Sequence, residues 1–153
     1  EAIRLDPNDA AAYYKRGITY YMLGKYDEAI RDYSESIRLD PKYAYAYIIR
    51  GDAYRNLGKY DEAIRDYTEA IRLDPNDADT YMTRGDAYKD FGKYDEAIRD
   101  YTEAIRLDPK DSEAYCLRGN AYKKLGKYDE ANRDYSEAKK IDPEIENYQQ
   151  TLA

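Results

Sequence analysis

The chain has 153 residues, 42% of them apolar and 37% charged, with a formal net charge of -7 and a pI near 4.8. That is enough apolar material for one elongated core, and the negative balance lacks the cationic footprint that binding nucleic acid or an anionic membrane surface requires. No apolar run approaches the roughly 20 residues of a spanning helix, and there is no histidine, the commonest general base and metal ligand. The lone Cys116 cannot form an internal disulfide, which fits a reducing compartment such as the cytoplasm.

Taken in order, residues 1–9 (EAIRLDPND) match residues 69–77 and read as the tail of a truncated preceding repeat. The string GKYDEAIRDYTEAIRLDP then occupies 58–75 and returns unchanged at 92–109, a step of 34 residues. A period of this length is the signature of one supersecondary unit stacked on copies of itself. Four repeats follow from Ala10, at 10–43, 44–77, 78–111 and 112–145, and residues 146–153 read as a capping helix, the whole forming one domain.

Each repeat reads as two helices. In the second, Tyr47, Gly51, Ala53 and Tyr54 lie at helical spacing, and Gly58 supplies a left-handed cap after Leu57. Asp61 and Glu62 suit the positive end of the next helix dipole, and Arg72 suits the negative end. Ala63, Ile64, Tyr67, Ala70 and Ile71 give that helix a wide apolar face. Asp74-Pro75 stops it, because proline disfavours helical geometry in the residue before it. Asp9, Asp77 and Asp111 can cap the first helix of the following repeat, a role closed to Tyr43.

These residues resemble the tetratricopeptide repeat family over essentially the whole chain. The aromatic, small and proline positions of its pattern fall, in the first repeat, on Tyr13, Gly17, Tyr20, Ala29, Tyr33, Ser36 and Pro41. The physical sense is size matching, small residues letting helices approach while aromatics fill the space beside them. The resemblance implies an all-α fold, an α-α superhelix or right-handed solenoid of antiparallel helix pairs. The usual leucine at position 7 is replaced throughout by Arg16, Arg50, Arg84 and Arg118, expected to stack on tyrosines or pair with Asp32, Asp66, Asp100 and Asp134. In the last repeat the isoleucines of the second helix become Asn132 and Lys139, as a terminal cap requires, and Ile145, Tyr148 and Leu152 would lay a final helix over the remaining apolar surface.

Function is expected where the repeats differ. Eight positions separate the second repeat from the third, and seven of them lie on or at the end of the first helix. In the family that helix lines a concave groove, which here would present Tyr14, Ile18, Tyr21, Met22, Tyr45 and Ile48, then Asp52 and Arg55, then Asp79, Met82, Asp86 and Lys89, with Cys116 lining its far end. Of the 21 tyrosines, sixteen occupy repeated positions; of the five left over, Tyr14, Tyr21, Tyr43 and Tyr45 gather at the first two repeats and Tyr148 lies apart. Tyrosines with a polar handle favour partner surfaces.

The expectation is therefore a protein-interaction scaffold, not an enzyme, holding a peptide or an apolar or mildly basic partner segment, with no cofactor, no metal, no nucleic acid and no membrane. The alternative is a self-associating structural module, joined through an exposed N-terminal end, or an engineered repeat scaffold without a dedicated ligand. The Gly-Lys pairs lack phosphate-loop spacing, and Asp74, Asn76, Asp77 and Asp79 lack the glycine and distal glutamate of a calcium loop. The family's carboxylate clamp for acidic chaperone tails would fall on Tyr14, Ile18, Ile49, Asp79 and Thr83, none of which fits it.

Overall fold

The computed structural model describes residues 6–145, which form eight α-helices and no strand. The chain divides into two compact units, Glu1–Pro75 and Asn76–Ala153. The first holds α1 (Ala10–Met22), α2 (Tyr26–Leu39), α3 (Ala44–Asn56) and α4 (Tyr60–Leu73). The second holds α5 (Ala78–Asp90), α6 (Tyr94–Leu107), α7 (Ser112–Lys124) and α8 (Tyr128–Ile141). Within the first unit α1 packs on α2, α2 on α3 and α3 on α4; within the second the same order runs from α5 to α8. The expectations for residues 1–5 and for a capping helix over 146–153 lie outside the described residues.

The helix boundaries follow from local chemistry. Asp9, Asp77 and Asp111 accept backbone N–H bonds from Ala11, Asp79 and Glu113 at 3.0 to 3.1 Å, while Tyr43 makes no side-chain cap. After α3 the chain reverses through Gly58 at φ 74°, with Lys59 N–H donating to the Tyr54 carbonyl at 2.9 Å. Only a residue without Cβ enters that left-handed region cheaply. The second helix of each pair opens on Asp-Glu and closes on an arginine or lysine, and Asp74 ends α4 one residue before Pro75.

The core is built by placing the smallest residue against a large ring. A Cβ added at Gly51 would lie 2.7 Å from Cε1 of Tyr67, and one at Gly17 would lie 2.6 Å from Cε1 of Tyr33. Tyr33, Tyr67 and Tyr101 are fully buried as a result, beside Ala29, Ala63 and Ala97. The arginine of position 7 lies over this layer. Arg50 grips Asp66 with two parallel bonds, Nε to Oδ2 at 2.8 Å and Nη2 to Oδ1 at 2.7 Å, and its Nη1 donates to Ser34 Oγ at 3.0 Å on the preceding repeat. Its guanidinium also sits 5.8 and 6.0 Å from the ring centres of Tyr47 and Tyr54. Arg118 repeats the arrangement with Asp134, Thr102, Tyr115 and Tyr122 in the second unit. The arginines are thus structural: each planar fork is gripped by an aspartate of its own repeat, and in the case of Arg50 and Arg118 also stitches one helix pair to the previous one. Burial raises the Asp66 and Asp100 carboxyls above their ordinary value despite the arginines that oppose the shift.

Candidate protein-interaction surfaces

In the first unit, α1 and α3 share one surface. Tyr14 meets Tyr43 at the entry to α3 with ring centres 5.1 Å apart, and Tyr43 meets Tyr45 at 6.0 Å, both edge to face. Further along, the Tyr21 hydroxyl accepts a bond from Asn56 Nδ2 at 2.9 Å, and the Tyr21 ring packs on Tyr26 at 5.3 Å. Burial beside Tyr43 and Tyr45 pushes the Tyr14 phenol up to about 12; Tyr21 is raised by burial and by the nearby Asp52 carboxylate. Tyr14, Ile18, Tyr21, Ile48, Asp52 and Arg55 are half-buried, neither sealed in the core nor freely exposed. Met22 and Tyr45 stand out from the surface, 81% and 61% exposed, and Leu23 extends the apolar tract.

In the second unit the corresponding positions divide their duties. Asp79 is exposed. Met82 is half-buried and packs on the core cluster of Ala97, Tyr101 and Ala121. Asp86 accepts the Tyr101 hydroxyl at 2.5 Å and pairs with Lys89 at 3.7 Å. Cys116 does not line an open wall as its position implied. It is 3% exposed, and burial together with neighbouring carboxylates lifts its thiol to about 11, which keeps it protonated and inert. A free thiol behaves as a small hydrophobe, so enclosure in the helix packing suits it better than an open wall.

Position 9 of the repeat has a structural role that the expectation of a groove does not show. Asp52, Asp86 and Asn120 each accept the hydroxyl of the core tyrosine in their own repeat, at 2.5, 2.5 and 2.6 Å. In the first repeat the position is Ile18, which accepts nothing, and Tyr33 Oη is buried without a hydrogen-bond partner. The signal was present in the sequence as a tyrosine at position 24 paired with Asp or Asn at position 9, broken once. Ser36 Oγ is likewise buried and unpartnered, where the other repeats carry Ala70, Ala104 and Ala138. Among the described residues no group of acidic or cysteine side chains could hold a metal ion, and no helix is long and apolar enough to cross a membrane.

Paired helices with size-matched packing and a variable first helix define an α-helical repeat protein of the solenoid class. Profiles described as tetratricopeptide repeat match residues 10–43, 33–65 and 112–145, and one described as TPR repeat matches 51–92 and 85–126. The chain belongs to the tetratricopeptide repeat family. Among solved structures it is similar to a crystal structure of MamA, at 30% identity and TM-score 0.88, covering 99% of this chain and 85% of that one. A MamA fragment from Desulfovibrio magneticus RS-1 matches at 21% identity and TM-score 0.86, over 95% of this chain and 82% of that one. The first TPR domain of Spaghetti (RPAP3), bound to the HSP90 peptide SRMEEVD, matches at 31% identity and TM-score 0.72, over 76% of this chain and 93% of that one. No curated protein sequence matches the chain.

Proposed function

We propose that this protein is a non-catalytic interaction scaffold whose first unit docks an extended partner segment on the α1/α3 surface, with apolar side chains seated around Tyr14, Ile18, Tyr21, Met22, Tyr45 and Ile48. The observation that carries the reading is Ile18. A buried hydroxyl left without an acceptor costs about 1 to 3 kcal/mol, and the other three repeats avoid that cost with a polar residue at the same place. An apolar residue there keeps the surface between Tyr14 and Tyr21 continuous and dry, and departures of this kind collect at functional sites. Asp52 beside this tract favours a segment with a basic residue among its apolar ones. That a similar TPR domain holds a peptide supports the same use of the fold.

The test is a binding selection from an array of 12-residue peptides, repeated with a Met22→Ala/Tyr45→Ala double variant. Those two residues are the most exposed of the set, so their truncation separates binding from folding better than truncation of Tyr14 or Tyr21, which pack on neighbouring rings. Apolar and basic peptides should be selected, and the variant should bind them about tenfold less tightly at unchanged helicity. Selected peptides that bind the variant equally well would sink the proposal.

A further inference from the structure

A second surface, of opposite chemistry, stands at the end of α7. Its pocket of about 220 Å³ is lined by Asn120, Lys123, Lys124 and Tyr128. The third repeat shows what has changed. There the equivalent residues are Asp86, Lys89 and Asp90, and Lys89 is held by Asp86 at 3.7 Å. In the fourth repeat the aspartate at position 9 becomes Asn120, so Lys123 loses the carboxylate one turn before it, and the aspartate at position 13 becomes Lys124. Neither lysine makes an ion pair among the described residues, on a chain of net charge -7 where partners for lysine are plentiful. Asn120 still serves the core, since its Oδ1 accepts the Tyr135 hydroxyl at 2.6 Å. That orientation leaves the two N–H groups of Nδ2 with no acceptor among the described residues. The swap from aspartate to asparagine therefore keeps the core bond, removes the negative charge and adds donors at the pocket wall. Tyr128, 60% exposed, supplies an apolar ring at the rim.

We infer that this pocket binds a carboxylate pair on an acidic partner segment, with Lys123 and Lys124 supplying charge, Asn120 Nδ2 a directed hydrogen bond, and the Tyr128 ring a face for the segment's methylenes. A short segment is the occupant that fits. The strongly negative remainder of the chain repels extended acidic surfaces, whereas two adjacent lysines match two adjacent carboxylates. Asn120 stands at the position of the clamp's asparagine, but the clamp's lysine at position 5 would fall on the buried Cys116, and the charge here comes instead from Lys123 and Lys124 at positions 12 and 13. The pocket shares no residue with the α1/α3 surface and has the opposite polarity.

The experiment uses the full chain and two fluorescein-labelled peptides with blocked ends, ALEELA and ALQQLA, followed by fluorescence anisotropy. The Glu peptide should bind about tenfold more tightly than the Gln peptide at low salt, and the difference should shrink as ionic strength rises. Lys123→Gln/Lys124→Gln should abolish the difference. So should Asn120→Asp, which keeps an acceptor for Tyr135 and restores a partner for Lys123; its circular dichroism should match wild type. The Met22→Ala/Tyr45→Ala variant should leave it unchanged, so failure here is distinguishable from failure of the α1/α3 proposal. Equal binding of the two peptides, or a preference that survives the lysine variant, overturns the inference. Displacement of the Glu peptide by about 10 mM inorganic phosphate as readily as by unlabelled peptide overturns the segment as occupant.

Discussion

The first and second repeats ask the same question of position 9 and answer it differently. In the second, Tyr67 donates to Asp52 at 2.5 Å, and the buried ring is fully satisfied. In the first, Ile18 stands in that place and Tyr33 keeps an unpartnered hydroxyl in the core. The scaffold residues around the two sites are nearly the same, so the difference isolates one choice: a residue that serves the core, or one that serves the surface above it. Asp52 bears its own burden for the first option, since burial raises its carboxyl while the Tyr67 hydroxyl and Arg55 oppose the shift.

The largest expected effect sharpens the comparison at the arginine layer. Arg50 and Asp66 are deeply placed, their side chains 19% and 8% exposed, whereas Arg16 beside Asp32 is 40% exposed. Removing Arg50 strands a buried carboxylate, so Arg50→Ala should destabilise by about 3 kcal/mol. Asp32 is itself as buried as Asp66, at 6%, but the arginine covering it is exposed. Truncating Arg16 therefore lets water reach the carboxylate, and Arg16→Ala should cost about half as much or less. Denaturant unfolding monitored by circular dichroism measures both, and equal losses would show that the arginine layer is uniform after all.

Smaller effects attach to the buried hydroxyls. Tyr67→Phe leaves Asp52 without its donor and should cost about 1 to 2 kcal/mol, while Tyr33→Phe removes an orphan and should be neutral or slightly stabilising. Alkaline titration tests the first unit in another way. A phenol whose folded pKa lies above its unfolded value contributes stability that is complete below the unfolded pKa and lost as pH rises through the folded one. Tyr14, raised to about 12 by burial, should therefore contribute fully below pH 10 and lose that contribution between about pH 10 and 12. The difference in tyrosinate absorbance between wild type and Tyr14→Phe isolates this phenol among the 21 tyrosines and should show its ionisation coinciding with loss of helicity; a difference signal near pH 10 in a still helical chain would contradict the packing of Tyr14 against Tyr43. The Cys116 thiol, raised to about 11, should stay unreactive to thiol reagents at pH 8 until the chain unfolds.

Much of this was readable in the residues themselves. The 34-residue period, the Asp9, Asp77 and Asp111 caps, the glycine turns and the arginine–aspartate pairs all rest on local spacing or on contacts repeated in register, and they emerge as expected. What escaped the sequence depended on which way a side chain turns. Met82 shares the core, Cys116 is enclosed by it, and Tyr14 and Tyr21 lean on neighbouring rings; periodicity assigns a position to a face but does not fix how deep the side chain sits. The service of Asp52, Asp86 and Asn120 to the core was hidden for a related reason, because the tyrosine each one satisfies lies on the other helix, 15 residues on.

One variant separates the two roles of position 9 most directly. Ile18→Asn places an acceptor beneath Tyr33 and breaks the apolar tract between Tyr14 and Tyr21 in the same step. Its affinity for the selected apolar and basic peptides should fall about tenfold, with the thermal midpoint within about 3 °C of wild type or above it. Undiminished affinity in a variant that folds normally would contradict the claim that Ile18 is kept for the surface.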